Sequence, residues 1–169
     1  MIWICTFLAL ICIAIVITIL YINAYNKIIV YKIKMDYSNE IISDSLKKKL
    51  EKMNSLYQII KKQLKKKDYL KEFVALKNKN LSNYELEKEL NEHLTIMKNL
   101  QEDYKELRTE AFDNTLSEIS ELDQIITANK VFFNKNNNLL IKDIKGYIKI
   151  VAKLNKINIK NSYEIKEPM

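Results

Sequence analysis

The chain is predicted to be all-α, with an N-terminal transmembrane helix followed by an antiparallel up-and-down bundle of three long helices and a short C-terminal helix. Three observations predict this. The 169 residues hold one Gly and one Pro, too few for the turns of a sandwich, a barrel or a doubly wound sheet. Residues 2–22 carry no charge and are apolar apart from Thr6 and Thr18. Beyond them, apolar residues return every three or four positions in three successive stretches, which is the period of one helix face.

The first element is the apolar segment. A helix of about 20 residues spans a bilayer core of roughly 30 Å and satisfies its own backbone there. Trp3 lies near one end of the segment, and Tyr21, Tyr25 and Tyr31 lie at or beyond the other, where amphipathic rings suit the headgroup layer. No charge precedes Lys27, whereas Lys27, Lys32 and Lys34 follow the segment. Basic flanks favour the cytoplasmic side, so the expected location is the cell membrane, single-pass, with the N-terminus outside and the C-terminal domain cytoplasmic. A secretory signal would need a basic n-region and a small-residue cleavage site, and a lipoprotein signal would need a small residue where Ile11 precedes Cys12. Cys5 and Cys12 share a helix face seven residues apart and read as apolar filler.

Residues 27–144 contain no Gly and no Pro, so nothing forces a break near the membrane and the anchor is expected to run on as a stalk. Met35, Ile42, Leu46, Leu50, Met53, Tyr57, Ile60 and Leu64 form the first stripe. It fades at the lysines of 65–67 and resumes with a shifted phase at Leu70, Phe73, Val74 and Leu76. Residues 77–83 (KNKNLSN) read as a turn, after which Ser82 and Glu85 have the spacing of a capping box. The second stripe is Leu86, Leu90, His93, Met97, Leu100, Tyr104 and Leu107. A second polar stretch follows near Asp113 and Asn114, with a further capping box expected at Thr115 and Glu118. Phe112, Leu116, Ile119, Leu122, Ile126, Phe133 and Leu140 make the third stripe, which Asn129 and Asn136, Asn137 and Asn138 weaken. Lys145-Gly146 is the next stop, residues 147–156 suit a short helix, and the tail is expected to be extended or mobile. Three amphipathic helices with short turns bury their stripes most simply against one another. The expected divisions are therefore residues 1–26 as anchor, 27–146 as helical bundle with juxtamembrane stalk, and 147–169 as short helix and tail. A parallel oligomeric stalk could use the same stripes.

Several chemistries fit poorly. His93 is the one histidine and lies on the inward side of its stripe, with no Ser, Cys or acid to complete a triad. A di-metal carboxylate bundle requires two Glu-x-x-His motifs, and only Glu89 and His93, four apart, come near. One Gly cannot build a phosphate-cradling loop. No catalytic, cofactor-binding or metal-binding residue is therefore expected, and no small-molecule substrate. The net charge of +7 comes from 28 basic and 21 acidic residues mixed along the chain, which is a weaker nucleic-acid signal than a basic stripe. The lysines at 47–49, 61–62 and 65–67 read as solvated helix faces. Trp3, Tyr21, Tyr25, Lys27, Tyr31, Lys32 and Lys34 are the candidate membrane-interface residues, each such cation being worth about 1 kcal/mol beside an anionic surface. Lys130, Phe132, Phe133 and Asn134 are the candidate interaction surface. Adjacent aromatics cannot both face one core, so one of the pair is expected to pack inward.

A set of short motifs resembles the LemA family of bacterial membrane proteins. Tyr25-Asn26 follows the anchor, with Ile28-Ile29 in the next family positions. Leu46-Lys47-Lys48-Lys49 and Glu51 fall where the family has a leucine, three basic residues and an acid, and Leu56 matches a later apolar position. Glu118, Glu121, Asp123, Gln124 and Ile126 resemble its acidic third helix, and Lys130, Phe132, Phe133 and Asn134 its basic-aromatic-asparagine signature. Ile150-Val151-Ala152-Lys153-Leu154 and Tyr163-Glu164 resemble its C-terminal motif. Asn39 stands where the family has tryptophan and Asn54 where it has proline, and Ile148-Lys149 and Lys156-Ile157 replace its last turn signals. The resemblance implies an anchored helical bundle and supplies no catalytic residue.

The resulting expectation is a non-enzymatic interaction platform or scaffold at the cytoplasmic membrane, whose partners are the lipid bilayer and either another protein or further copies of the chain. The rival expectations are an extracytoplasmic coiled-coil tether and a membrane-anchored nucleic-acid-binding protein.

Overall fold

The computed structural model describes residues 2–64, 70–76, 79, 81–157 and 162–163, and every regular element among them is helical. The helices are α1 (Ile2–Leu64), α2 (Lys71–Leu76), α3 (Asn83–Asp103), α4 (Glu110–Asp143) and α5 (Tyr147–Leu154), with a 3₁₀ turn at Lys105–Leu107. The all-α class and the long apolar N-terminal helix follow the sequence expectation. The lysines of 65–67 and residues 77, 78 and 80 of the first expected turn lie outside the described residues.

The chain divides into two compact units, residues 1–38 with 130–169, and residues 39–129. In the first unit, Ala24, Ile28 and Met35 of α1, Phe133 and Leu140 of α4, and Val151 and Ala152 of α5 form one buried cluster. Tyr25, Tyr31, Ile144, Ile148, Ile157 and Tyr163 pack against it, partly buried. The inward stripe of α1 thus begins at Ala24, eleven residues earlier than Met35. It is hidden in the sequence because Ala24 and Ile28 adjoin an apolar run with no periodicity of its own.

In the second unit, α1 buries Ile42, Leu46, Lys49, Met53, Leu56 and Ile60, while Leu50 is only half-buried. α2 buries Phe73 and Leu76; α3 buries Leu90, His93, Leu94, Met97 and Leu100; and α4 buries Phe112, Ile119 and Ile126. Each fully buried Leu, Ile, Met or Phe contributes roughly 1.5–3 kcal/mol against chain ordering. Tyr57, Phe73 and His93 connect three helices of this unit through ring contacts of 6.1 and 5.6 Å.

Helix starts follow local chemistry, with one correction. Ser82 caps α3 as expected: its Oγ accepts from the Glu85 backbone N–H, and the Glu85 carboxylate accepts from the Ser82 backbone N–H at 2.9 Å. Those hydrogen bonds hold the Glu85 carboxyl below its ordinary range, the backbone one most strongly. The second expected box does not form. α4 starts at Glu110, ahead of Asp113 and Asn114, and the Thr115 hydroxyl instead donates to the Ala111 carbonyl one turn back. The Thr109 hydroxyl accepts from the Phe112 backbone N–H at the true start. The chain breaks at residues 104–109, where Arg108 Nη2 donates to the Glu102 carbonyl and satisfies a helix-end acceptor. Neither Gly nor Pro marks that break, so its turn chemistry does not stand out in the sequence.

Candidate functional site

Residues 2–22 lie in one unbroken helical stretch, and every side chain described there is exposed. The most apolar window of α1 has a mean hydropathy of 2.9 with none of it buried in the chain. That helix is long and apolar enough to cross a membrane. Trp3 is 87 % exposed at one end, and Cys5 and Cys12 are free and exposed.

The other end of the apolar stretch is built more elaborately. The Tyr21 and Tyr25 rings stack with centroids 6.4 Å apart and planes 7° from parallel. Asn155, just past α5, donates through Nδ2 to the Tyr21 hydroxyl at 3.0 Å. Further along α1, the Tyr31 hydroxyl donates to Asp143 Oδ2 at 2.8 Å, and Lys27 Nζ lies 3.1 Å from the same oxygen. The Tyr31 hydrogen bond, followed by that from Lys27, holds the Asp143 carboxyl below the usual range. The same bond, then desolvation, raises the Tyr31 phenol. Lys32 and Lys34 are exposed, and the Lys34 carbonyl accepts from the Ser38 hydroxyl. Of the seven interface candidates, Tyr21, Tyr25, Lys27 and Tyr31 are therefore tied into the fold around the last turns of α4 and α5.

Lys130, Phe132, Phe133 and Asn134 do not make one open surface. Phe133 is buried and meets the Tyr163 ring edge-on at 5.0 Å, while Phe132 is 43 % exposed on another side of α4. Lys130 is buried with its ammonium 5.8 Å above the Tyr163 ring. Asn134 donates from Nδ2 to the Tyr163 carbonyl at 2.7 Å and accepts the Tyr163 N–H on Oδ1 at 2.8 Å. One side-chain amide thus pairs with both polar groups of one backbone residue. Asn137 adds a bond from Nδ2 to the Ser162 hydroxyl at 3.2 Å. Asn137, read as weakening the third stripe, thus joins Asn134 in holding residues 162–163 against α4, so this part of the tail is clasped. Asn136, also buried, donates to the Phe132 carbonyl.

The second unit contains a charge that sequence reasoning placed in solvent. Lys49 is 0 % exposed, and its Nζ donates to Asn91 Oδ1 of α3 at 2.7 Å and to Asp123 Oδ1 of α4 at 2.5 Å. Its neighbours explain the error, because Lys47 and Lys48 are exposed and Lys48 pairs with Asp44 on the solvent side. A signal was present nonetheless. Lys49 stands three residues after Leu46 and four before Met53, on the stripe itself. His93 packs on Phe73, its Nε2 lies 3.9 Å from Glu89 Oε2, and its buried Nδ1 finds no hydrogen-bond partner among the described residues. His93 is thus buried, with its ring packed edge-on against Phe73.

No family model, no curated protein and no solved structure matches this chain.

Proposed function

We propose that this chain is a single-span, LemA-like membrane protein whose α3, α4 and post-membrane α1 pack as an antiparallel up-and-down bundle in the cytoplasm. It acts there as a non-enzymatic interaction platform for a protein partner or for further copies of itself. The observation that carries the reading is the exposed apolar surface of residues 3–20, none of which is buried against the other described residues. So large a contiguous apolar surface requires cover, and a bilayer matches its length. The orientation rests on Lys27, Lys32 and Lys34 at the flank that follows the apolar stretch.

The bundle reading is supported by Lys49, which joins α1 to both α3 and α4, and by the Lys52–Glu118 pair at 2.6 Å between α1 and α4. The family reading rests on the motifs quoted above, among which Lys49 and Asp123 meet in space. The non-enzymatic reading rests on the single histidine, its packing against Phe73, and the lack of a glycine-rich phosphate loop.

Expression of the full chain with a C-terminal tag tests the reading. The expected result is sedimentation with membranes, resistance to carbonate extraction, and tag protection from protease in intact cells. Recovery in the supernatant without detergent would overturn the anchor. Tag cleavage on intact cells would overturn the orientation and favour the extracytoplasmic tether.

A further inference from the structure

α5 has two apolar sides, and the described residues cover only one of them. Val151, Ala152 and the partly buried Ile148 pack into the first unit's core with Ala24 and Ile28. Tyr147, Ile150 and Leu154, at steps of three and four, lie on a single further edge and are 49 %, 63 % and 69 % exposed. An eight-residue helix in a polar solvent gains nothing by leaving three large apolar residues uncovered on one edge.

Two observations say what covers them. The first is position. Asn155, immediately after α5, is hydrogen-bonded to Tyr21 at the end of the apolar stretch of α1, so the Leu154 end of α5 lies at the level where α1 meets lipid headgroups. The second is charge. From residue 144 to residue 163 there are five lysines, Lys145, Lys149, Lys153, Lys156 and Lys160, and no Asp or Glu. Lys145, Lys149, Lys153 and Lys156 are all exposed. Large apolar residues on one edge with lysines beside them are the pattern of a helix seated in the headgroup–acyl boundary of an anionic leaflet.

We infer that α5 is a second membrane contact, with Leu154 and Ile150 entering the same leaflet from which α1 emerges and Lys149, Lys153 and Lys156 reaching the phosphates of anionic phospholipids. This rests on the anchor reading and adds to it a lipid-binding edge selective for headgroup charge. The anchor would then hold the domain at two points, and Tyr21–Asn155 would be the clip between them.

The test uses the full chain, with Cys5 and Cys12 replaced by Ala, reconstituted in phosphatidylcholine vesicles with or without phosphatidylglycerol. A polarity-sensitive fluorophore is placed singly at Ile11→Cys, Leu154→Cys or Glu92→Cys, and quenchers are carried on lipid acyl chains. The expected result is strong quenching at position 11 in both vesicle types. At position 154 quenching should be several-fold greater with phosphatidylglycerol than without, and at position 92 there should be none. Replacing Lys149, Lys153 and Lys156 together by Gln should abolish the phosphatidylglycerol dependence at position 154 without altering position 11. Quenching at 11 with a water-exposed probe at 154 overturns the inference and leaves the anchor standing. A blue-shifted but unquenched probe at 154 overturns it in favour of cover by a second copy of the chain. An unquenched probe at 11 overturns the anchor and the inference together.

Discussion

The Tyr31 hydroxyl donates to Asp143 Oδ2 at 2.8 Å, joining α1 to the last residue of α4 across 112 positions of sequence. The bond operates only while the phenol is protonated and the carboxyl ionised. Asp143 is depressed below the ordinary value of 3.8, so its contribution is fully present above that value and is lost as pH falls through the lower folded value. Tyr31 is raised above 10.0, so its contribution is present below pH 10.0 and is lost as pH rises through the higher folded value. Thermal melts of the detergent-solubilised chain should show both flanks, and Tyr31→Phe should flatten the alkaline one while leaving a shallower acid one from Lys27. Unchanged flanks in Tyr31→Phe would remove this bond from the account.

Lys49 and Asp123 should respond unequally to truncation. Asp123→Ala strands a buried ammonium with only Asn91 as acceptor, a loss expected at about 3–5 kcal/mol. Lys49→Met keeps the alkyl packing and leaves a carboxylate whose side chain is 40 % exposed and can be hydrated, so about 1 kcal/mol or less is expected. Denaturant titration followed by circular dichroism measures both, and equal losses would mean that Lys49 is not buried as described.

Leu90→Asp and Met97→Asp each place a charge where the wild-type side chain is wholly buried. Each should remove about 4 kcal/mol or more, combining lost packing with an unpaired buried carboxylate. Ile96→Asp, on the exposed side of α3, should stay within about 0.5 kcal/mol. Melting temperatures that fail to separate the three variants would refute the inward side of α3.

Helix-start variants separate real caps from look-alikes. Ser82→Ala and Thr109→Ala should each lose about 1 kcal/mol. Thr115→Ala should change little, because its hydroxyl bonds one turn back inside α4. A Thr115 effect as large as that of Thr109 would place the start of α4 later than Glu110.

Asn134→Leu keeps size but deletes both bonds to the Tyr163 backbone. Amide exchange at Tyr163 should speed up by at least tenfold, with little change at Ile126, which is buried in the second unit. Equal exchange at Tyr163 in both proteins would mean that the clasp does not order this segment.

The apolar segment was legible because about 20 residues pass without a charge, and the helical class and the inward positions of the second stripe because periodicity reports burial directly. Leu90, His93, Met97, Leu100 and Leu107 lie buried where the second stripe placed them. What escaped depended on partners distant in sequence. Lys49 looks like its solvated neighbours until Asn91 and Asp123 arrive from two other helices; Asn137 looks like a stripe-breaker, and Asn134 like part of an open surface, until residues 162–163 pair with them. The start of α4 was misplaced because Thr115 and Glu118 have the capping-box spacing, whereas Thr109 caps the helix with Phe112, not an acid, three residues on. The clip between Tyr21 and Asn155 had no local signature at all.

Within the first unit, residues 2–35 of α1 run as one uninterrupted helix, about 50 Å of rod at roughly 1.5 Å per residue. Such a rod works as a drive shaft, with no joint to absorb torsion between the stretch of residues 3–22 and the teeth at Ala24, Ile28 and Met35. One residue added between Ile22 and Ala24 would turn those teeth by about 100° relative to the upstream side chains, whereas seven would bring them nearly back into phase. The angular setting of the greasy end is therefore geared to the way the first unit closes.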